Sequence, residues 1–187
     1  MKARLPSRRA LTVIGVVVTV AAGAVVWQCL PGPTDVFGPF DVHAEAGRAA
    51  TGRAVSATVT NTRVTPVVDT VKPAGVWVVV DAALEGTRST ELPHSKLLVG
   101  PNTYDPSDRF FSDTLLAEIS PGLTLTGSWV FDVDPAVAPG SSDPLTLMVW
   151  VGDGRLDSRL LIEIPTHGSR FSRVNEVTLN KPELSAS

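Results

Sequence analysis

The histidines are the first residues in this chain to test for chemistry. His43, His94 and His167 are far apart in the sequence, and no Asp or Glu accompanies them at metal-ligand spacing. The chain has no HExxH motif and only one cysteine, so the usual zinc-binding patterns are absent from the sequence. We therefore expect surface histidines, no metal site and no cofactor.

Oxygen-bearing side chains gather in one polar stretch, at Asp105, Ser107, Asp108 and Asp113. Calcium takes about 6–8 oxygen ligands, so this stretch is the best candidate for a cation loop. It lacks the glycine of a calcium loop, and Leu116 stands where the twelfth-position Glu belongs. We expect a solvated loop without calcium.

Carboxylate pairs such as Asp132 and Asp134 have a spacing that could serve catalysis. They are two residues apart on a predicted strand and so share one face, where two carboxylates could act as a general acid and a general base. Such a pair could serve a hydrolase acting on envelope polymers, which is the alternative function. No GxSxG motif occurs. We expect a solvated strand face, no catalytic residue and a protein that is not an enzyme.

Aromatic side chains offer candidates for protein contact. The predicted loop 102–113 carries Tyr104, Arg109, Phe110 and Phe111, and Trp150 has outward parity on its strand. Tyr, Trp and Arg are enriched where interfaces carry their binding energy, and loops often carry recognition. We predict a partner contact at these residues. The alternative is that Phe110 and Phe111 fill one end of the fold.

An uncharged stretch, residues 10–34, sets the organisation of the chain. About 20 apolar residues in a helix span a bilayer, so residues 10–30 are predicted to be a transmembrane anchor. Residues 1–9 then form a basic cytoplasmic tail, because Lys2, Arg4, Arg8 and Arg9 precede the helix and basic flanks stay inside. The alternatives are a cleaved signal peptide ending at Ala24, which would give a secreted protein, and a lipoprotein acylated on Cys29.

The charge beyond the anchor narrows the classes of partner. The residues beyond the anchor include the remaining 12 basic residues and 19 acidic ones, which gives this part of the chain a net charge of −7. Nucleic-acid binding rests on basic groups that neutralise phosphates, so we expect no nucleic acid. With a single cysteine, the outer domain can form no intrachain disulfide and must be held by packing.

After a linker at 31–35, the sequence alternates between apolar and polar residues in short runs. The clearest run is 123–134, and 74–85 reads as a central strand that is apolar on both faces at its start. About seven such strands separated by turn signals predict an all-β fold, an immunoglobulin-like β-sandwich over residues 36–165 that follows one transmembrane helix. Residues 166–187 are predicted to form a C-terminal tail with one short docked segment.

Three stretches carry a family resemblance: VWVVVDAALEG at 76–86, KLLVGPNTYDPSD at 96–108 and LAEISPGLTLTGSWVFDVDP at 116–135. With the anchor, they resemble the telokin-like, immunoglobulin-like extracytoplasmic domains of unknown function in Gram-positive membrane proteins and lipoproteins. The mycobacterial immunoprotective extracellular protein has such a domain. Glu85-Gly86-Thr87 stands where that family often has Asn-Asn or Asn-Gly, so the match is partial.

The resemblance implies an immunoglobulin-like fold and a membrane protein of the actinobacterial type. The motifs that carry it are structural and not catalytic. Taken with the anchor, it leads us to expect an extracytoplasmic binding or scaffold module. Such a module would be an accessory subunit or protein-interaction domain in the cell envelope, with an envelope protein as its partner.

Overall fold

A computed structural model describes residues 8–32, 37–135, 144–155 and 157–186. It divides the chain into two compact units, one ending at Phe37 and the other beginning at Gly38. The first unit contains the helix α1, and the second contains the strands. The elements are α1 (Arg8–Cys29), β1 (Phe40–Glu45), β2 (Ala50–Thr51), β3 (Val55–Thr65), β4 (Val76–Gly86), β5 (Pro93–Val99), β6 (Asn102–Tyr104), a 3₁₀ helix (Asp108–Phe110), β7 (Leu123–Val133), β8 (Leu145–Val151), β9 (Ser158–Ile164), β10 (Phe171–Arg173) and β11 (Glu183–Ala186).

Helix α1 has 22 residues, about 33 Å at a rise of 1.5 Å per residue. Its stretch Thr12–Cys29 has a mean hydropathy of 2.0 and contains no buried residue, so the helix is long and apolar enough to cross a membrane, as a signal sequence also would be. The hydroxyl of Thr19 donates to the carbonyl of Gly15 at 2.9 Å, which satisfies a polar group inside the helix. Most of the predicted tail (1–7) and linker (33–35) lies outside the described residues.

The second unit is an all-β sandwich, as predicted. The first sheet has the order β1-β9-β8-β5-β6, and the second has the order β10-β3-β4-β7-β11, with β2 beside β3. Among the described residues, seven strands have six residues or more, which matches the predicted number, and four short strands are additional. The orders β3-β4-β7 and β9-β8-β5 reproduce the A-B-E and G-F-C strands of an immunoglobulin-like arrangement.

The main core fills the space between the sheets with the inward residues of each alternating strand. Val78, Val80, Ala82 and Leu84 of β4 are fully buried there, as the parity of the sequence predicts. The neighbouring strand β7 adds Trp129 and Phe131. The facing sheet supplies Leu97, Leu145, Leu147, Val149, Leu160 and Ile162. Removal of this apolar surface from water holds the domain together, at about 25 cal/mol per Å².

A second, smaller core covers the outer face of the second sheet. Trp77, Val79 and Val130 point outward from β4 and β7, and Val68 and Phe110 pack over them with Val177. Val130 is the residue that interrupts the alternation of β7. The second core explains that interruption, because an outward position that is covered must be apolar.

The C-terminal residues, expected to form a tail at 166–187, instead complete the second sheet. Strand β10 runs parallel to β3, and β11 pairs antiparallel with β7 at the opposite edge. Residues 174–182, the crossing segment, therefore pass over the outer face of the sheet, with Val177 buried in the second core. Every residue of β11 is exposed, so this strand has no apolar pattern that the sequence could reveal.

Candidate functional site

The predicted contact loop forms a structured turn on the edge of β7. The amide of Ser107 donates to the carbonyl of Val130 at 2.7 Å, and the amide of Leu115 donates to that of Ser128 at 3.0 Å. Residues 107–114, the aromatic turn, are thus held at both ends by the backbone of the sheet. The 3₁₀ helix lies inside the turn and is capped by the hydroxyl of Ser107, which accepts from the amide of Arg109 at 3.3 Å.

Phe110 anchors the aromatic turn to the second core. Its ring is 5% exposed and meets Trp77 edge to face, with 5.3 Å between the ring centroids. The hydroxyl of Thr114 donates to the carbonyl of Phe110 at 3.1 Å and closes the turn behind it. The indole nitrogen of Trp77 donates to the carbonyl of Val71 at 3.0 Å, so the ring beneath Phe110 is itself fixed.

Arg109 extends from the same turn across the surface. Its guanidinium carbon is 5.9 Å from the ring centroid of Trp77, and Nη1 donates to the carbonyl of Lys72 at 3.3 Å. These two contacts restrict a long side chain that would otherwise be mobile. A cation is therefore held beside the turn.

Phe111, the next residue, points the other way. It is 71% exposed, whereas Phe110 is 5% exposed. Of the two rings, Phe110 alone is buried, and it packs over the outer face of the second sheet and not into an end of the sandwich. The turn presents a large apolar ring to solvent on a backbone that hydrogen bonds and a buried neighbour hold in place.

The other two predicted contact residues lie on the first sheet. Tyr104 belongs to β6, pairs with Leu97 and packs half-buried against the main core. Trp150 is half-buried on the outward face of β8, where its ring stacks on His94 with 5.5 Å between centroids. The structure thus brings Arg109, Phe110 and Phe111 together on one turn and places Tyr104 and Trp150 elsewhere.

Asp132, one of the two candidate catalytic carboxylates, holds the backbone at the start of β4. Its Oδ2 accepts from the amide of Ala74 and its Oδ1 from the amide of Gly75, both at 2.9 Å. Both oxygens are therefore engaged in fixing the loop that leads into the central strand. Of the candidate calcium ligands, Asp105 pairs with Lys96 at 3.2 Å. The described residues contain no group of three His, Cys, Asp or Glu side chains that could hold a metal.

An ion pair joins β1, the first strand of the sandwich, to β9. Nε and Nη2 of Arg159 donate to the two oxygens of Asp41 at 2.7 and 2.9 Å, a bidentate arrangement. This hydrogen-bonded guanidinium lowers the pKa of Asp41, and the carboxylate raises the pKa of Arg159. Both side chains are about one-third exposed, so solvent weakens the pair.

A polar cleft of about 340 Å³ lies beside the second core, and the sequence analysis missed it. Arg63 and Asp81 pair on its floor with 2.6 Å between Nη2 and Oδ1, and the hydroxyl of Ser128 donates to the same oxygen at 2.7 Å. Outward parity on three strands could have placed these residues on one face. No signal in the sequence showed that the crossing segment would form the cleft's wall.

No protein-family model and no curated protein matches the chain. Among solved structures, the chain is similar to an uncharacterized β-sandwich protein from Clostridium difficile 630. The similarity covers 67% of this chain and 95% of that one, at 16% identity and a TM-score of 0.42.

Proposed function

We propose that this protein is a membrane-anchored extracytoplasmic binding module that recognises another envelope protein through its aromatic turn. The observation that carries the proposal is the exposure of Phe111 on a turn fixed by Phe110 and by two hydrogen bonds to β7. Ordering a free loop costs binding energy, and a turn that is already ordered avoids most of that cost. An aromatic ring beside a held arginine has the composition of an interface hot spot.

The anchor is proposed to be α1, with its N-terminus in the cytoplasm and the sandwich outside. Its length and hydropathy support this role, and so do Arg8 and Arg9 at its start. Trp27 is 77% exposed at the other end of the helix, where an amphipathic ring suits a membrane interface. If the helix is instead a signal peptide, the mature protein is secreted and its mass begins after Ala24.

We propose further that the domain is a distant telokin-like relative of the family that its strands resemble, and that it has no catalytic activity. The strand order supports the first part. For the second part, the support is the structural use of Asp132, whose two oxygens both accept backbone amides. A general acid or base needs an oxygen available to the substrate.

The test is site-specific photocrosslinking in intact cells. A photoreactive amino acid replaces Phe111 in one strain and Leu92 in another, since Leu92 is also exposed, at 46%, and belongs to a different segment. We expect a discrete crosslinked protein from position 111 and not from position 92. The same products from both positions, or none from position 111 in folded protein, would refute recognition by this turn.

A further inference from the structure

The polar cleft lies between the crossing segment and strands β3, β4 and β7. Its volume of about 340 Å³ is within the range of about 300–1,000 Å³ that is common for small-molecule sites. Ten residues line it: Asn61, Arg63, Asp81, Thr126, Gly127, Ser128, Thr178, Asn180, Lys181 and Glu183.

The floor of the cleft is a fixed polar network. Asn61, Asp81 and Ser128 are cross-strand partners in one row over β3, β4 and β7. Arg63 reaches back to this row and pairs with Asp81, whose side chain is 21% exposed. The sheet therefore positions donors and acceptors on its outer face before any ligand arrives.

The wall of the cleft is fixed as well. On one side of the wall, Val177 is 3% exposed in the second core, and on the other side Glu183 begins β11 and pairs with Thr126. Between these two attachments, Pro182 lies close to Gly127 of β7. A Cβ at position 127 would be 3.3 Å from Pro182 and 3.0 Å from Leu115, so glycine permits this close approach. Asn180 and Lys181 are thereby held over the floor.

The chemistry of the lining disfavours apolar ligands, anions and cations. None of the ten lining residues carries an aliphatic or aromatic side chain, so an apolar ligand would leave polar groups without partners. Arg63 and Lys181 balance Asp81 and Glu183, so the lining has no net charge. A phosphate would meet two carboxylates, and a cation would meet two basic groups.

We propose that this cleft binds a neutral saccharide. Each sugar hydroxyl can both donate and accept a hydrogen bond, and neighbouring hydroxyls need donors and acceptors side by side. Carboxylates at Asp81 and Glu183 supply acceptors, and the basic and amide side chains supply donors. This proposal is independent of the aromatic turn, because none of its residues lines the cleft.

The test uses the full chain in a detergent without a sugar headgroup. Saturation-transfer NMR is recorded with glucose, galactose, mannose, N-acetylglucosamine and their β-linked disaccharides. We expect at least one of these probes to bind with a Kd of about 1 mM, a weak affinity suited to a site without a stacking ring. Sodium phosphate and sodium hexanoate, added as competitors, should leave the signal unchanged.

Two variants assign the binding to the cleft. Asn61→Ala and Lys181→Ala should each weaken binding at least fivefold, while Lys72→Ala removes a charge outside the cleft and should bind as the parent does. Lys181 is exposed, so its variant retains the fold even if Asn61→Ala does not. Absence of binding across the panel, competition by phosphate or hexanoate, or undiminished binding by Lys181→Ala would each overturn the proposal.

Discussion

Phe110 and Phe111 offer a matched pair of substitutions on adjacent residues of one turn. Phe110→Ala removes a ring that is 5% exposed and loses its edge-to-face contact with Trp77. Large-to-small changes of a buried Phe cost about 3–5 kcal/mol. Phe111 is 71% exposed, and surface substitutions usually change stability by no more than about 0.5 kcal/mol. We therefore expect the two alanine variants to differ by about 3 kcal/mol.

The assay is thermal unfolding of the full chain in detergent, followed by the near-ultraviolet circular dichroism of the tryptophans. For a domain of about 150–250 residues, each kcal/mol moves Tm by about 2–4 °C. Phe110→Ala should then lower Tm by about 9 °C, and Phe111→Ala by less than about 2 °C. The opposite pattern is expected for partner capture, which Phe111→Ala should abolish in a folded protein.

Equal destabilisation by the two variants would refute the reasoning, because it would mean that both rings are buried. A stable Phe110→Ala variant would do the same, since the second core would then not depend on the turn.

Arg109→Ala tests the contribution of the cation to the same turn. Loss of its contact with Trp77 should cost only about 0.5–1 kcal/mol.

Three further expectations follow from other contacts. Val177→Asp should lower the free energy of unfolding by about 3–5 kcal/mol, since it places an unpaired charge in the second core. Ser185→Asp, on the exposed strand β11, should leave the urea unfolding curve unchanged. Asp132→Ala should cost about 1–3 kcal/mol in the same assay, because two backbone amides lose their acceptor. The hydrogen-bonded Arg159 keeps the folded-state pKa of Asp41 below its unfolded value of about 3.9. The pair therefore stabilises the fold above the unfolded pKa, and this stabilisation is lost as pH falls through the folded-state pKa. Arg159→Met should remove that acid dependence, which is at most about 1 kcal/mol; identical acid-unfolding curves for parent and variant would contradict it.

The sequence was sufficient to predict the strands of the main core. On β4, alternation assigned Val78 and Val80 to one face and Trp77 and Val79 to the other, and both faces are buried. Period-two patterns are reliable where every second residue contacts the same core. The apolar length of α1 was also readable from the sequence, because a uniformly apolar stretch needs no tertiary context.

The C-terminal elements could not be predicted from local pattern. Strand β11 gains its structure from backbone pairing with β7, which leaves no trace in side-chain type. The cleft depends on the crossing segment and on Arg63, whose partner Asp81 is 18 residues away. Contacts of that kind are set by topology, and one sequence does not display them.

The exposure of Phe111 also could not be distinguished from that of Phe110 in the sequence, since the two are identical neighbours. Only the direction of the 3₁₀ helix decides which ring meets Trp77. The sequence could name this segment as a candidate for partner contact, and its division into one buried anchor and one exposed ring required the structure.

The central claim, an external module whose aromatic turn is covered by a partner, is tested most directly by cysteine labelling. In a Cys29→Ser background, Phe111→Cys and Leu92→Cys are treated with a membrane-impermeant maleimide, in intact cells and as purified protein. We predict that Leu92→Cys reacts at the same rate in both settings, and that Phe111→Cys reacts several-fold more slowly in cells. Equal rates for Phe111→Cys in both settings would contradict the covered turn, and no labelling of either variant before lysis would contradict the external location.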